Sequence, residues 1–422
     1  MKKFDIVVHM HIKGQFVPAG KLTYIDDASK SHCEFIYFDE YINNILAIPV
    51  DPVQLPLQEG LYITNSDSEY FNGIRDSCPD SWGDHLLESA AKKFNIKLKE
   101  IDYILYAGSD RIGALGFSTK IDQAPFSENP LWAQNIVGED LSLEELDLAT
   151  QKITNSEELP YHLRRFFERG SSVGGARPKA SCVVNNVPYL AKFQHPDDKW
   201  PICRLEDACM YLAKKCGCNV ANSSRISFFG GSRDIYLTQR FDRRIKNKIT
   251  YRIPFASEMT ICNLNELAVC GNYLDFVKMM DSDLYDQTKS KEDKIELFKR
   301  IVFNALINNT DDHPRNHAFL FGENGWYLSP AYDLTPIKKK SKISESNQKI
   351  GVYGNIFTKE NIISQSHFFG LKQNEAGYIF DQMQNLVQAE WQNAFLSCGI
   401  FQRYIDEIAE SLPLVTNNYQ TM

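Results

Sequence analysis

Asn308-Asn309-Thr310-Asp311-Asp312-His313-Pro314-Arg315-Asn316-His317, followed after an apolar run by Ser329-Pro330-Ala331-Tyr332-Asp333, is the stretch on which the reading of the chain turns. A carboxylate at Asp311, an amide five residues later at Asn316 and a second carboxylate at Asp333 beyond a strand-like insert form the arrangement by which a phosphotransferase aligns a hydroxyl and holds magnesium. Asp311 would stand beside the substrate hydroxyl and accept its proton. Asn316 would reach the metal from the same loop, at the separation of the kinase pattern His-Arg-Asp-(four residues)-Asn. Asp333 offers the hard oxygen that magnesium favours, although its neighbours are Tyr332 and Leu334 rather than Phe and Gly. Taken singly these residues have ordinary readings too: Asp311 and Asp312 as helix-terminal caps, Asp333 as a turn residue, His313 as a histidine that packs the loop.

Two upstream features change that balance. Gly170-Ser171-Ser172-Val173-Gly174-Gly175-Ala176-Arg177-Pro178-Lys179 is rich in glycine, which permits positive φ and lets backbone N–H groups approach a phosphate. It is not a Walker loop, because Ala176 rather than Lys follows Gly175, and a dinucleotide fingerprint would need a helix where a strand is expected. Lys192 lies in the apolar run Tyr189-Leu190-Ala191-Lys192-Phe193, where kinase-type folds keep a strand lysine for the nucleotide phosphates, with Glu206 as the available helix partner. By itself Lys192 is a snorkelling strand lysine and the glycine run a connecting loop. A glycine loop, a strand lysine, an Asp-(four residues)-Asn pair and a later Asp in that order are hard to obtain by accident.

The 422 residues exceed one ordinary core, so two or three packed units are expected. With 43% hydrophobic and 24% charged residues the composition is that of a globular chain, and a formal charge of −8 argues against the whole molecule binding polyanions non-specifically. Ten cysteines are scattered; only Cys216-Gly217-Cys218 is a close pair, without the second pair or histidines of a zinc site, so they read as reduced, mostly buried thiols. The apolar run after Met1-Lys2-Lys3 is broken at His9, His11 and Lys13, which is unlike a signal peptide, and no run reaches membrane-spanning length; a cytoplasmic protein without membrane contact is expected.

Along the chain, residues 4–38 read as a small β-rich module with a turn at Lys13-Gly14-Gln15, and Pro79 to Lys93 as a helix with Trp82, Leu86, Leu87 and Ala90 on one face. Ser142 and Glu145 suit a capping box, and a short helix from Tyr161 is expected to end at Gly170. Residues 182–193 read as a hairpin turning at Asn185-Asn186, followed by an amphipathic helix over 204–215 and a strand over 235–241. From Leu264 onward the chain reads as mostly helical, with a capping box at Ser290-Lys291-Glu292-Asp293 opening a helix that delivers the chain to Asp311.

The ordered set resembles the HipA family of bacterial toxin serine/threonine kinases. The resemblance rests on residues 172–179, Gln239-Arg240-Phe241-Asp242-Arg243, residues 309–316 and residues 329–333, with lesser support from Pro79-Asp80-Ser81-Trp82-Gly83. It implies an α+β, protein-kinase-like two-lobed fold: an N-terminal β-rich module over 1–105, a kinase-like N-lobe over 106–240 and a helical C-lobe over 241–422. It further implies ATP and Mg2+ as cofactors, with Val173, Gly174, Gly175, Ala176 and Lys192 at the phosphates and Gln239 to Phe241 as the hinge holding adenine. Asp311 would be the catalytic base, and Asn316 and Asp333 the metal ligands. Ser172 matches the family's autophosphorylated serine, with Ser171 adjacent; a phosphate there would put nearly two negative charges where the ATP phosphates should sit. The implied partners are a protein substrate such as an aminoacyl-tRNA synthetase and a helix-turn-helix antitoxin through which DNA is bound indirectly. A binding module that keeps the fold without catalysis, acting as a corepressor, and a small-molecule phosphotransferase are the alternatives.

Overall fold

The computed structural model of the protein describes residues 2–27, 31–64, 69–93, 95–125, 141–160, 163, 165–171, 175–247, 249–265, 271–338 and 343–416. The chain divides into two compact units, Met1–Pro196 with Leu237–Ala256, and Asp197–Tyr236 with Ser257–Met422.

The first unit begins with an antiparallel sheet of β1 (Lys2–Ile12), β2 (Gln15–Asp26), β3 (His32–Tyr37), β4 (Tyr62–Ile63) and β5 (Leu115–Ser118), in the order β4-β3-β2-β1-β5. The β1–β2 hairpin turns at Lys13 and Gly14, both at positive φ, which is the turn whose twist matches paired strands. Ile6, Val8, Leu22 and Phe35 from the strands pack with Phe71, Ile74, Ile101 and Phe117 in one core. The two histidines that interrupt the apolar run of β1 are themselves buried. His9 Nε2 lies 2.7 Å from Ser118 Oγ, and His11 Nδ1 accepts the Arg252 N–H. Burial lowers both to about 4, with Arg252 also acting on His11, so each enters the core uncharged.

Short α1 (Asp39–Ile42) and α2 (Asn72–Arg75) precede α3 (Ser81–Lys93), which buries Trp82, Leu86, Leu87 and Ala90 as its periodicity predicts. After α4 (Glu100–Tyr106), α5 (Leu143–Thr154) opens on the expected capping box: Ser142 Oγ accepts the Glu145 N–H and Glu145 accepts the Ser142 N–H. Then comes α6 (Arg165–Ser171), which corrects one expectation. Gly170 does not stop it; a Cβ at Gly170 would come within 2.5 Å of Leu86 Cδ1, so the glycine allows close packing on α3. β6 (Lys179–Val184) and β7 (Val187–Phe193) form the predicted hairpin, with Asn185 at φ 51° and Asn186 at φ 62°. The unit is completed by the end of β9 (Arg233–Gln239) and the hairpin of β10 (Arg243–Lys246) and β11 (Ile249–Arg252).

In the second unit, α7 (Ile202–Lys215) packs on the 25-residue α12 (Gln373–Ser397), and β8 (Ser223–Phe228) precedes the start of β9. β12 (Phe255–Ser257) leads into α8 (Glu258–Ile261), whose N-cap Ser257 accepts the Thr260 N–H. β13 (Gly271–Asn272), α9 (Tyr273–Met279) and α10 (Ser290–Leu306) follow. In α10, Phe298, Ile301, Val302, Ala305 and Leu306 are buried, while Ile295, expected on the same core face, is half-buried. Its expected capping box does not form, because Ser290 is already the first helical residue and Lys289 is the cap; the Asp293 carboxylate instead accepts Tyr285 O–H. Nor is the chain after Leu264 so uniformly helical. β14 (Ala318–Phe321) and β15 (Trp326–Leu328) pair antiparallel, and β16 (Gln348–Lys349) pairs parallel with β13. The chain closes with α11 (Lys359–Ile363), α12, α13 (Gln402–Ala409) and α14 (Pro413–Thr416). Among the described residues no helix is long and apolar enough to cross a membrane and no disulfide is present, with six of the nine described cysteines buried.

Candidate active site

Helix α10 ends at Leu306 and the chain turns sharply, Asn308 taking φ 55° with its amide held by the Ile337 carbonyl. The following residues separate the two aspartates. Asp311 is exposed, whereas Asp312 is 1% exposed and lies against His317, whose Nε2 is 3.0 and 3.1 Å from its two carboxylate oxygens. Tyr273 O–H sits 3.5 Å from the same nitrogen, and the Glu258 N–H donates to the His317 carbonyl, so the loop is fixed from beneath while Asp311 faces outward. His313 is half-buried at the foot of a short 3-10 turn, Pro314–Asn316.

That turn places Asn316, which is buried and donates its Nδ2 to the Asp311 carbonyl at 3.4 Å, directing the amide oxygen the other way. Asp333 follows β15 with a backbone φ of 60°, uncommon for a residue with a side chain. Its neighbour Tyr332 donates to the Arg315 carbonyl at 2.8 Å, tying the segment of Asp333 to that of Asn316. Asn347, which belongs to none of the motifs, donates to Asp311 Oδ1 at 3.4 Å from 36 residues away.

Beneath this loop lies a carboxyl that the sequence did not mark. Glu258 is fully buried, and burial above all, with the Asp312 charge next, pushes it well above the usual carboxylate range. Gln348 pulls the other way to a smaller extent, and the two side chains do not reach hydrogen-bonding geometry with each other. Folding therefore favours the protonated form. The stability this lends is complete below pH 4.5 and is lost as pH rises through the raised value. Glu258→Gln, permanently neutral, is expected to match wild type in thermal unfolding at low pH and to become progressively the more stable as pH rises above 4.5. A pH-independent difference between the two would contradict this assignment.

In the first unit, Ser172, Val173 and Gly174 lie outside the described residues. Gly175 takes φ +100°, and a Cβ there would run into the Lys179 ammonium; Ala176 is exposed. Lys192 is 9% exposed in β7, and its register partner across the hairpin is Lys179, 8% exposed. Phe193 N–H bonds the Pro178 carbonyl in the adjacent pair, which makes 179 and 192 a non-hydrogen-bonded pair, the closer kind. Two lysines thus share one face of the ribbon beside the glycine loop. Lys179 closes the glycine run in the sequence, but only the strand pairing sets it opposite Lys192.

Gln239 and Phe241 are half-buried beyond β7, with the Arg240 N–H between them donating to the Pro188 carbonyl. The charges of this motif turn inward. The Arg240 guanidinium grips Asp242 with Nε at 2.9 Å and Nη2 at 2.7 Å; Arg243 bonds the same carboxylate at 2.9 Å, and both arginines reach Asp110. Burial would raise the Asp242 carboxyl, but Arg240 and Arg243 overcome it and hold it at about 2. Arg252 joins the cluster, lowered to about 9 by burial and by Arg243. Glu206 is buried in α7, in the unit that does not hold Lys192. Among the described residues no group of three or more His, Cys, Asp or Glu is arranged to hold a metal.

Comparison with known proteins gives this geometry a family. The HipA-like C-terminal domain matches residues 171–391 and the HipA N-terminal domain residues 9–118. A Haemophilus influenzae protein provisionally described as a kinase is 23% identical over 225 residues, 49% of this chain; the match spans 66% of that relative, just under two thirds. The solved HipA of Shewanella oneidensis MR-1, in a toxin–antitoxin complex with HipB and operator DNA, aligns at a TM-score of 0.63 and 16% identity, covering 97% of this chain and 96% of that one. The likeness to that structure is one of fold, and the match to the C-terminal domain spans Ser171 to Lys179, Lys192 and the Asp311 to Asp333 stretch. The chain belongs to the HipA family.

Proposed function

We propose that this protein is an ATP- and magnesium-dependent protein serine/threonine kinase, acting as the toxin of a toxin–antitoxin pair. The observation that carries the reading is the Asp311 loop: an exposed carboxylate, with an amide fixed on its backbone carbonyl and a second carboxylate tied in through Tyr332 and Arg315. Asp311 takes the proton of the acceptor hydroxyl as its oxygen attacks, and Asn347 orients the accepting carboxylate. Asn316 and Asp333 suit magnesium, which prefers one or two protein oxygens plus substrate phosphates to an all-protein cage. The bound ion would neutralise charge on the phosphates. Lys179 and Lys192 put two cations side by side below the glycine loop, the charge pattern a polyphosphate requires. Gln239 to Phe241 would take adenine.

An aminoacyl-tRNA synthetase is the substrate class we propose, and a DNA-binding antitoxin the partner; the assembly of the Shewanella homologue with HipB and operator DNA supports the latter. Autophosphorylation at Ser172 would end activity by crowding the phosphate site with charge. Ser171 is ill placed for modification, being fully buried with its Oγ accepting the Gly108 N–H. The test is incubation of the purified protein with labelled ATP and magnesium. Label is expected on Ser172 in phosphopeptide maps, and ATP affinity is expected to fall at least tenfold in Lys192→Met, in line with loss of a charge-assisted contact. A protein that neither binds ATP nor takes up label would be a binding module and would overturn the proposal.

A further inference from the structure

Trp82 and Gly83 open α3, far in sequence from every residue given a role above, yet both lie against the flanks of the glycine loop. The Trp82 backbone N–H donates to the Gly175 carbonyl at 3.1 Å, and its indole Nε1–H donates to the Lys179 carbonyl at 2.9 Å. One residue thus holds both the glycine at φ +100° and the lysine whose ammonium lies under it. Gly83 is as constrained: a Cβ there would fall 2.7 Å from the Ser171 carbonyl oxygen and 2.7 Å from Pro79 Cβ, so the start of α3 meets the end of α6 at close approach. On the loop's other flank, the Gly108 N–H donates to Ser171 Oγ at 3.0 Å. Trp82 is 5% exposed, edge-on to Phe166 of α6, with no freedom to release these bonds without leaving its socket.

We infer that Trp82 is a positioning residue for nucleotide binding, clamping Gly175 and Lys179 in the arrangement that receives the phosphates, with Gly83 allowing the start of α3 to close on Ser171 just before them. The inference rests on the kinase reading for its functional consequence; the clamp itself can be tested without nucleotide. A polyphosphate site works by preorganisation: a lysine and a backbone amide already in place lose little entropy on binding, whereas a loose segment must be ordered by the ligand. The indole N–H offers one hydrogen bond that Phe cannot supply, so Trp82→Phe removes the bond to the Lys179 carbonyl while keeping most of the buried ring and the backbone bond to Gly175.

Hydrogen exchange on the nucleotide-free protein is the first readout. Trp82→Phe and Gly83→Ala are each expected to speed exchange at Gly175, Ala176, Arg177 and Lys179 while leaving the core of β1 to β3 unchanged. In the kinase assay the KM for ATP should rise about three- to tenfold in Trp82→Phe, the range of one buried hydrogen bond, with kcat held at saturating ATP. Unchanged exchange over 175–179, an unchanged KM, or faster exchange throughout the unit would each overturn the inference. A wild-type protein that binds no ATP would overturn the kinase reading, while the exchange data still decide the clamp.

Discussion

Asp311→Asn is expected to bind ATP and magnesium as tightly as wild type and to transfer phosphate about a hundred- to ten-thousand-fold more slowly, the range attributable to a general base. The substitution keeps the size of the side chain and the exposed position, and the backbone carbonyl that holds Asn316 is untouched, so the metal ligands stay where they are. What is removed is the ability to accept the proton of the attacking hydroxyl. Single-turnover transfer from labelled ATP, set beside equilibrium nucleotide binding, separates the two effects. Equal loss of binding and transfer, or full activity in the variant, would remove Asp311 from the role of base. The prediction depends on Asp311, and not Asp312, being the aspartate that faces outward, since Asp312 is buried on His317.

The second large effect concerns stability. Asp242→Ala should destabilise the protein by about 3–5 kcal/mol, because it leaves Arg240 and Arg243 buried without the carboxylate that both grip. Against a total margin of roughly 5–15 kcal/mol that loss is visible as a lowered denaturation midpoint or as insolubility. Removing charges together should cost less than removing one: Arg240→Met with Asp242→Leu is expected to recover part of the loss, as apolar replacement of a buried ion pair commonly does. The depressed carboxyl also sets a pH window. Stability from Asp242 is present above the ordinary aspartate value of 3.8 and is lost as pH falls through about 2. A denaturant midpoint for Asp242→Ala within 1 kcal/mol of wild type, a value of roughly the size of one hydrogen bond, would mean the cluster contributes nothing net.

These two variants mark the divide between local and distant information. Locally encoded features were legible: the Asn185-Asn186 turn, the Ser142 capping box and the apolar stripe of α3 all appear where chain periodicity and turn chemistry put them. The order of glycine loop, strand lysine, Asp311, Asn316 and Asp333 was legible as well, since it is a property of the chain itself. Gly170 was misread because glycine after a helix is a common stop, while its actual use, contact with Leu86, depends on a residue 84 positions earlier. The capping box at Ser290 failed for a related reason: Asp293 is drawn to Tyr285 by the fold rather than to its own helix end.

The sequence by itself determined which chemical groups the protein owns and in what order, because residue types and short-range periods are written in it. Which of Asp311 and Asp312 is exposed, that Lys179 stands opposite Lys192, that Arg240 and Arg243 join Asp242 to Asp110 about 130 residues away, and that Trp82 bonds the Gly175 and Lys179 carbonyls were decided only by the tertiary structure. Burial and charge pairing are sums over neighbours in space, and a carboxylate becomes an exposed base or a buried counter-ion according to partners that no local window contains.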